Sequence, residues 1–179
     1  MACIASNVAT QGINLAYNTA TAIISALELH RNAQDNSYKR PTVILLRSAS
    51  VNPTFKAGMP WLARNMASFC FGYIYEDLDR ASKLLEAHSD LLSPIFIDPA
   101  SLRDPDGSAG STGYELLLKP PQEPMSSYAD LGEAFCEVSR RRDEFAGKGV
   151  GPSATGKVTT SWGVLMGYMA SGMKARMWG

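Results

Sequence analysis

Apolar residues recur at intervals of three and four along much of the chain, a spacing that places them on one face of a helix. This pattern predicts about five helices, over residues 10–31, 60–75, 76–92, 127–146 and 158–177. Ser127 followed by Asp130 is typical of a helix start, and Gly147 is typical of the position just after a helix end.

Short apolar runs predict a minor β element over roughly residues 94–120. The runs PIFID and YELLLK flank a loop rich in glycine, serine and aspartate, so we expect a hairpin with a long loop. TVILL, at residues 42–46, is too short for periodicity to decide between a buried strand and a turn of helix. The pattern therefore predicts a mainly α fold, with about five helices and a minor two-stranded β element in one compact domain over residues 1–179.

Composition favours a folded chain with no overall charge. Hydrophobic residues make up 45% and charged residues 19%, and 17 basic residues balance 17 acidic ones. A neutral chain is not drawn as a whole to nucleic acid or to an anionic membrane. Residues 2–27 are uncharged but too polar to span a bilayer, and the start lacks the basic and apolar segments of a secretory signal. We expect a cytoplasmic or virion location and no membrane partner.

The stretch GVGPSATGKVTT, at residues 150–161, partly matches a phosphate-binding loop. Gly151, Gly156 and Lys157 have the required spacing, but Val158 replaces the serine or threonine that would hold magnesium. A charged helix end precedes the stretch, where a phosphate-binding loop needs a buried strand. We interpret it as a glycine-rich link that caps the last helix.

No pattern of metal ligands is complete. The cysteines Cys3, Cys70 and Cys136 are far apart, which excludes a zinc-binding pair. Five residues have a spacing similar to that of a calcium loop, but Ala109 occupies the position that needs glycine, so we expect an exposed turn. These five residues are Asp104, Asp106, Ser108, Thr112 and Glu115. We therefore predict no metal.

No catalytic cluster is visible either. The two histidines, His30 and His88, have no nucleophile motif to serve, and Cys70 lies in an aromatic helical stripe that is typical of a core. The carboxylates around Asp77 are interpreted as a solvated helix face. We predict no catalytic residue and no cofactor.

Several basic residues are candidates for contacts with nucleic-acid phosphates. They are Lys39, Arg40, Arg140, Arg141, Arg142 and Lys157. Asp143 and Glu144 directly follow the run of three arginines, so a solvated or ion-paired helix end and a salt-bridged contact with a neighbouring subunit are the alternatives.

The last predicted helix combines small residues with a methionine stripe. Small residues at four-residue spacing let another helix approach closely, and methionine adapts to irregular contacts. Residues 158–173 carry no charge, so the helix is expected to be buried in the core or against another chain. The residues predicted to pack are Trp162, Gly163, Met166, Gly167, Met169, Ser171, Met173 and Ala175.

Three functions remain open on this basis. The first is a non-enzymatic structural subunit of a larger assembly, of the viral coat or nucleocapsid type, whose partners are other protein subunits. The second is a helical accessory subunit of a nucleoprotein complex that contacts RNA or single-stranded DNA. The third is a small enzyme with a site that the sequence does not reveal.

Overall fold

The computed structural model describes residues 10–34, 37–102, 110–158 and 162–178. Within them the helices are α1 (Leu15–Gln34), α2 (Pro53–Gly58), α3 (Trp61–Ala87), α4 (Tyr128–Arg140), α5 (Arg142–Phe145) and α6 (Trp162–Trp178). The strands are β1 (Thr42–Leu46), β2 (Ser93–Ile97), β3 (Ser101–Leu102), β4 (Tyr114–Leu117), β5 (Met125–Ser126) and β6 (Gly149–Ala154).

A four-stranded mixed sheet forms the centre of the described fold, in the order β1-β2-β6-β4. β1, β2 and β6 are parallel, and β4 runs antiparallel to β6. β3 and β5 form a separate parallel pair. Because α2 and α3 connect β1 to β2, the chain makes the helical crossover that parallel neighbours require.

Helices cover both faces of this sheet. Successive side chains of a strand point to opposite faces, so Phe96 joins one apolar cluster while Ile95 and Ile97 join the other. The Phe96 cluster also contains Ala20, Ile24, Ala81, Leu85, Leu91 and Leu92. The second cluster also contains Leu131, Val138, Phe145 and Val150. The result is a three-layer α/β arrangement.

The prediction of a mainly α fold is therefore wrong. A strand buried on both faces has a continuous apolar run instead of alternation, which leaves its type ambiguous. The predicted hairpin is also wrong, since β6 lies between β2 and β4 and pairs with both. β6 itself has the sequence GVGPSA, which was interpreted as a link, and its burial in the sheet makes it a strand despite two glycines and a proline.

The predicted helices agree with the structure more closely than the predicted strands. α1 and α6 lie close to their expected positions, while the two helical pieces expected over residues 60–92 form the single helix α3. The start of α4 is confirmed, because the backbone N–H of Asp130 donates to the Ser127 hydroxyl over 3.0 Å. Gly147 has a φ of 72°, a conformation that favours glycine.

Asp77 is a structural residue and not part of a solvated face. Its side chain is buried and accepts hydrogen bonds from the backbone N–H groups of Ala16 (2.7 Å) and Tyr17 (3.1 Å). These donors in the first turn of α1 have no partner within the helix, so Asp77 ties α3 to the start of α1.

No helix in the described ranges combines the length and apolarity that crossing a membrane requires.

Candidate active site at the carboxyl edge of the sheet

A buried ion pair joins the carboxyl ends of β1 and β2. Arg47 directly follows β1 and Asp98 directly follows β2. The Arg47 guanidinium donates to both carboxylate oxygens of Asp98, at 2.6 and 2.8 Å, and it also lies 4.4 Å from the ring centre of Phe96. The Asp98 side chain is fully buried, so this bidentate pair is shielded from water.

The segment after β1 carries the hydroxyl groups of the site. Ser48 and Ser50 lie between Arg47 and Asn52, and their hydroxyls approach the hydroxyl of Tyr75 on α3. Burial raises the pKa of Tyr75 above its usual value of 10.0, although hydrogen bonding to Ser50 and Ser48 favours the phenolate and opposes this rise. Tyr75 is therefore a protonated hydrogen-bond donor at neutral pH.

A surface cleft of about 420 Å³ opens beside Tyr75. α2 contributes Lys56 to its wall, and α6 contributes Arg176. The Arg176 guanidinium lies 4.8 Å from the ring centre of Tyr73. A Cβ added at Gly72 would lie 3.2 Å from the same guanidinium. The remaining lining residues are Ser50, Val51, Ser68, Tyr75, Glu76 and Asp79. The cleft thus combines hydroxyls with charges of both signs.

The neighbouring part of the same edge is closed by protein. The Gln122 side-chain amide donates to the backbone carbonyls of Asp98 (3.0 Å) and Pro152 (2.9 Å). The ring of Phe55, on α2, lies so close to Gly151 that an added Cβ would be 2.7 Å from it. The open cleft therefore lies on the β1 side, and ligands of open α/β sheets bind outside the carboxyl ends of the strands.

A second cleft, of about 530 Å³, lies along α4. Its lining residues are Tyr114, Tyr128, Ala129, Gly132, Glu133, Cys136 and Arg140. The Tyr114 hydroxyl already donates to Glu137 over 2.8 Å, and burial together with this carboxylate raises the pKa of Tyr114 to about 12. Tyr114 pairs with Ala154 at the end of β6, so this cleft also reaches the carboxyl edge of the sheet. Because the Tyr114 hydroxyl is already bound to a carboxylate, we regard the cleft beside Tyr75 as the better candidate.

The described residues do not form a cradle for a dinucleotide. Such a cradle is a glycine-rich loop that joins a strand to the N-terminus of a helix. In this chain the glycine-rich stretch is β6 itself, and β1 is followed by the serine segment and the short helix α2. Within the described part of the chain, no three His, Cys, Asp or Glu side chains are placed to share a metal ion.

The basic residues predicted to bind phosphate do not form one patch. Lys39 and Arg40 precede β1, whereas Lys157 follows the parallel strand β6, so the two groups lie at opposite edges of the sheet. Arg40 donates to the backbone carbonyl of Ser89, and Arg140 lines the cleft along α4. The other two arginines are exposed, at the end of α4 and the start of α5.

Arg141 is paired with carboxylates. It forms salt bridges with Glu137 and Glu144, and the latter spans 2.7 Å. This is the ion-paired helix end that the sequence left open as an alternative. Contact between any of these basic residues and nucleic acid stays a prediction.

The small residues predicted on α6 do not face α3. Gly163, Gly167 and Ser171 are exposed, Ala175 is half-buried, and nothing lies within 4 Å of a Cβ added at either glycine. The buried glycine is Gly172, which touches the backbone of Cys70 on α3. Of the predicted stripe, Met166 and Met173 are exposed and Met169 is half-buried, while the Trp162 side chain lies outside the described part. Contact with another subunit stays a prediction.

The predicted calcium-like turn lies largely outside the described residues, since these omit Asp104, Asp106 and Ser108. Of its other members, Thr112 donates from its backbone N–H and its hydroxyl to Asp130, and Glu115 lies in β4.

Sequence reasoning missed the hydroxyl and charged groups of the Tyr75 site. A signal was present: Arg47 and Asp98 each directly follow a short apolar run. Once both runs are known to be parallel strands, polar residues at their carboxyl ends become candidates for a site.

Curated proteins resemble this chain over almost its whole length. It is 39% identical to averufin oxidase A of Dothistroma septosporum, over 97% of the chain and 63% of that protein. It is 38% identical to averufin oxidase A of Aspergillus flavus, over 98% of the chain and 62% of that protein. The chain therefore spans about three fifths of the length of these relatives. No protein-family model matches the chain.

A solved structure supports the fold. A short-chain dehydrogenase/reductase (wide type) from Veillonella parvula, determined in complex with NADP, matches with a TM-score of 0.54 at 18% identity. The match covers 78% of this chain and 58% of that one. The fold is therefore Rossmann-like.

These similarities contradict the predicted function. Relatives named as oxidases point to an enzyme, and not to a non-enzymatic structural subunit of the coat or nucleocapsid type. The third alternative, an enzyme with a site not visible in the sequence, fits better. The candidate site beside Tyr75 is assembled from two strand ends and a helix, so no single sequence motif marks it. The chain resembles averufin oxidases in sequence and a short-chain dehydrogenase/reductase in fold.

Proposed function

We propose that this chain is part of an oxidoreductase that acts on averufin or a chemically related compound, bound in the cleft beside Tyr75. The identity of 38–39% to proteins named averufin oxidase supports the reaction class and the substrate. The observation that carries the choice of site is the position of the Tyr75 hydroxyl, which is buried against Ser48 and Ser50 and lies at the edge of an open cleft.

The chemistry supplied by these residues is proton handling. A tyrosine that stays protonated at neutral pH donates a hydrogen bond to a substrate oxygen as negative charge develops there. The serine hydroxyls stabilise the phenolate, so they ease the transfer of the Tyr75 proton to that oxygen. Because the described residues offer no dinucleotide cradle, no electron transfer is assigned to them.

Turnover of averufin tests this proposal. Tyr75→Phe keeps the ring and removes the hydroxyl, so kcat should fall by about 10²–10⁴-fold, the usual contribution of a positioned acid or base. Tyr114→Phe is the matched control, because Tyr114 is also hydrogen-bonded with a raised pKa but lies at the other cleft. It should keep near-normal turnover. Equal activity of Tyr75→Phe and the unaltered protein would refute the role of Tyr75.

A further inference from the structure

We propose that Asp98 is a positioning residue: its buried carboxylate closes the segment 47–52 into a loop and holds Ser48 and Ser50 against Tyr75. The inference rests on the proposed function of Tyr75, since it explains how the serine hydroxyls are kept in place beside that group. Asp98 itself does not line the cleft.

The geometry of the loop carries this proposal. Asp98 accepts two hydrogen bonds from Arg47, at 2.6 and 2.8 Å, and a third from the side-chain amide of Asn52, at 2.6 Å. Arg47 and Asn52 are the two ends of the segment that carries the serines. One carboxylate therefore fixes both ends of the loop.

Backbone contacts fix the path of the chain between those ends. The backbone N–H groups of Arg47 and Ala49 donate to the carbonyls of Ile97 (2.8 Å) and Pro99 (3.0 Å), which extends the pairing beyond β1 and β2. The Ser50 N–H donates to the Ser48 hydroxyl over 3.2 Å. The Ser48 side chain is thus tied to the backbone of the loop, and the Ser50 hydroxyl also contacts the Met59 sulfur over 3.8 Å.

The sequence leaves room for this carboxylate. At Gly149, in the first position of β6, an added Cβ would lie 2.5 Å from Asp98 and 2.9 Å from Arg47. Asn52 also caps α2, since its side-chain oxygen accepts from the Thr54 N–H over 2.9 Å. The loop is therefore connected to β2, β6 and α2 through one buried polar cluster.

The ionisation of Tyr75 is a direct measure of this positioning, because each serine contact favours the phenolate. The charged groups of the surrounding cleft are Lys56 on α2, Glu76 and Asp79 on α3, and Arg176 on α6. Cys70 on α3 also raises the pKa of Tyr75 through its charge. None of these groups is altered in the variants below.

The direction in which the Tyr75 pKa changes separates the positioning role of Asp98 from a direct effect of its charge. In Asp98→Asn, loss of a negative charge would by itself lower the Tyr75 pKa. Release of the serines removes hydrogen bonds to the phenolate and raises it, by about one unit for each bond lost. Asn52→Ala opens the same loop without changing any charge, and it serves if Asp98→Asn fails to fold with its arginine left unpaired.

The experiment is a pH titration of the Tyr75 ring by NMR, assigned by comparison with Tyr75→Phe. Asn52→Ala and Asp98→Asn should raise the Tyr75 pKa in the same direction as the double variant Ser48→Ala/Ser50→Ala. Asp130→Asn, which alters a buried carboxylate that binds a different loop, should leave it unchanged. An unchanged or lowered pKa in Asn52→Ala would overturn the proposal.

This titration needs no substrate, so the positioning and the proposed function can fail separately. A raised pKa in Asn52→Ala, together with full turnover by Tyr75→Phe, would leave the positioning intact and remove the function. A loss of turnover in Tyr75→Phe without a pKa change in Asn52→Ala would do the reverse.

Discussion

The packing of α6 on α3 depends on the absence of a side chain at Gly172. A Cβ at this position would overlap the carbonyl oxygen of Cys70 and lie 2.8 Å from its carbonyl carbon. Backbone atoms of a helix interior cannot rotate away, so the two helices must separate. Overpacking of this kind typically costs about 1–3 kcal/mol. Replacing glycine by alanine inside a helix returns up to about 1 kcal/mol of helix propensity.

The matched control is Gly167→Ala on the same helix, where the added Cβ meets nothing within 4 Å. Both variants gain the same propensity, so their difference isolates the packing term of about 1–3 kcal/mol. At about 2–4 °C per kcal/mol for a chain of this size, Gly172→Ala should melt about 2–12 °C below Gly167→Ala. Thermal unfolding followed by circular dichroism measures this difference. Equal melting temperatures would refute the placement of α6 against α3.

Two further predictions concern the stability of the fold at low pH and the assembly of the chain with a second subunit. Burial alone would raise the pKa of Asp130, but hydrogen bonds from Thr112, Ser127 and Ser111 outweigh burial and hold the pKa below 3.8. Because the pKa in the folded state is depressed, the carboxylate stabilises the fold at pH values above its pKa in the unfolded chain. The free energy of unfolding should therefore fall as the pH drops through the pKa of Asp130 in the folded state. In denaturant titrations, Asp130→Asn should lose less of this free energy in acid than the unaltered protein. An equal loss in the two proteins would contradict this role of Asp130. If the exposed small residues of α6 (Gly163, Gly167 and Ser171) contact a second subunit, Gly167→Leu should lower the particle mass measured by light scattering without unfolding the chain. An unchanged mass would contradict that contact.

Local sequence signals predicted what local interactions determine. The Ser127 cap of α4 needs only a side chain and the N–H of Asp130 three residues later, so it was readable from the sequence. The periodicity over α1 reflects a single face, on which Ala20 and Ile24 are buried. Such features need no knowledge of the rest of the fold.

The central sheet required information that the local pattern does not carry. β6 contains two glycines and a proline, and it is a strand because β2 and β4 flank it. Similarly, Asp77 reads as one of several carboxylates on a polar helix, and its role is set by the start of α1, some 61 residues away. Long-range partners decided both cases.

The candidate site was hidden for the same reason. Its hydroxyls come from the loop after β1 and from the middle of α3, and its buried carboxylate follows β2. These residues come together only once β1 and β2 are known to be parallel neighbours. No spacing along the chain identifies them.

The measurement that tests the account most directly is an NMR titration with averufin that locates its binding site on the protein. The account predicts perturbed backbone resonances around the cleft beside Tyr75, including Ser50, Ser68 and Gly72, and weaker binding by Tyr75→Phe. Perturbations centred instead on Gly132 and Cys136, which line the cleft along α4, would contradict it.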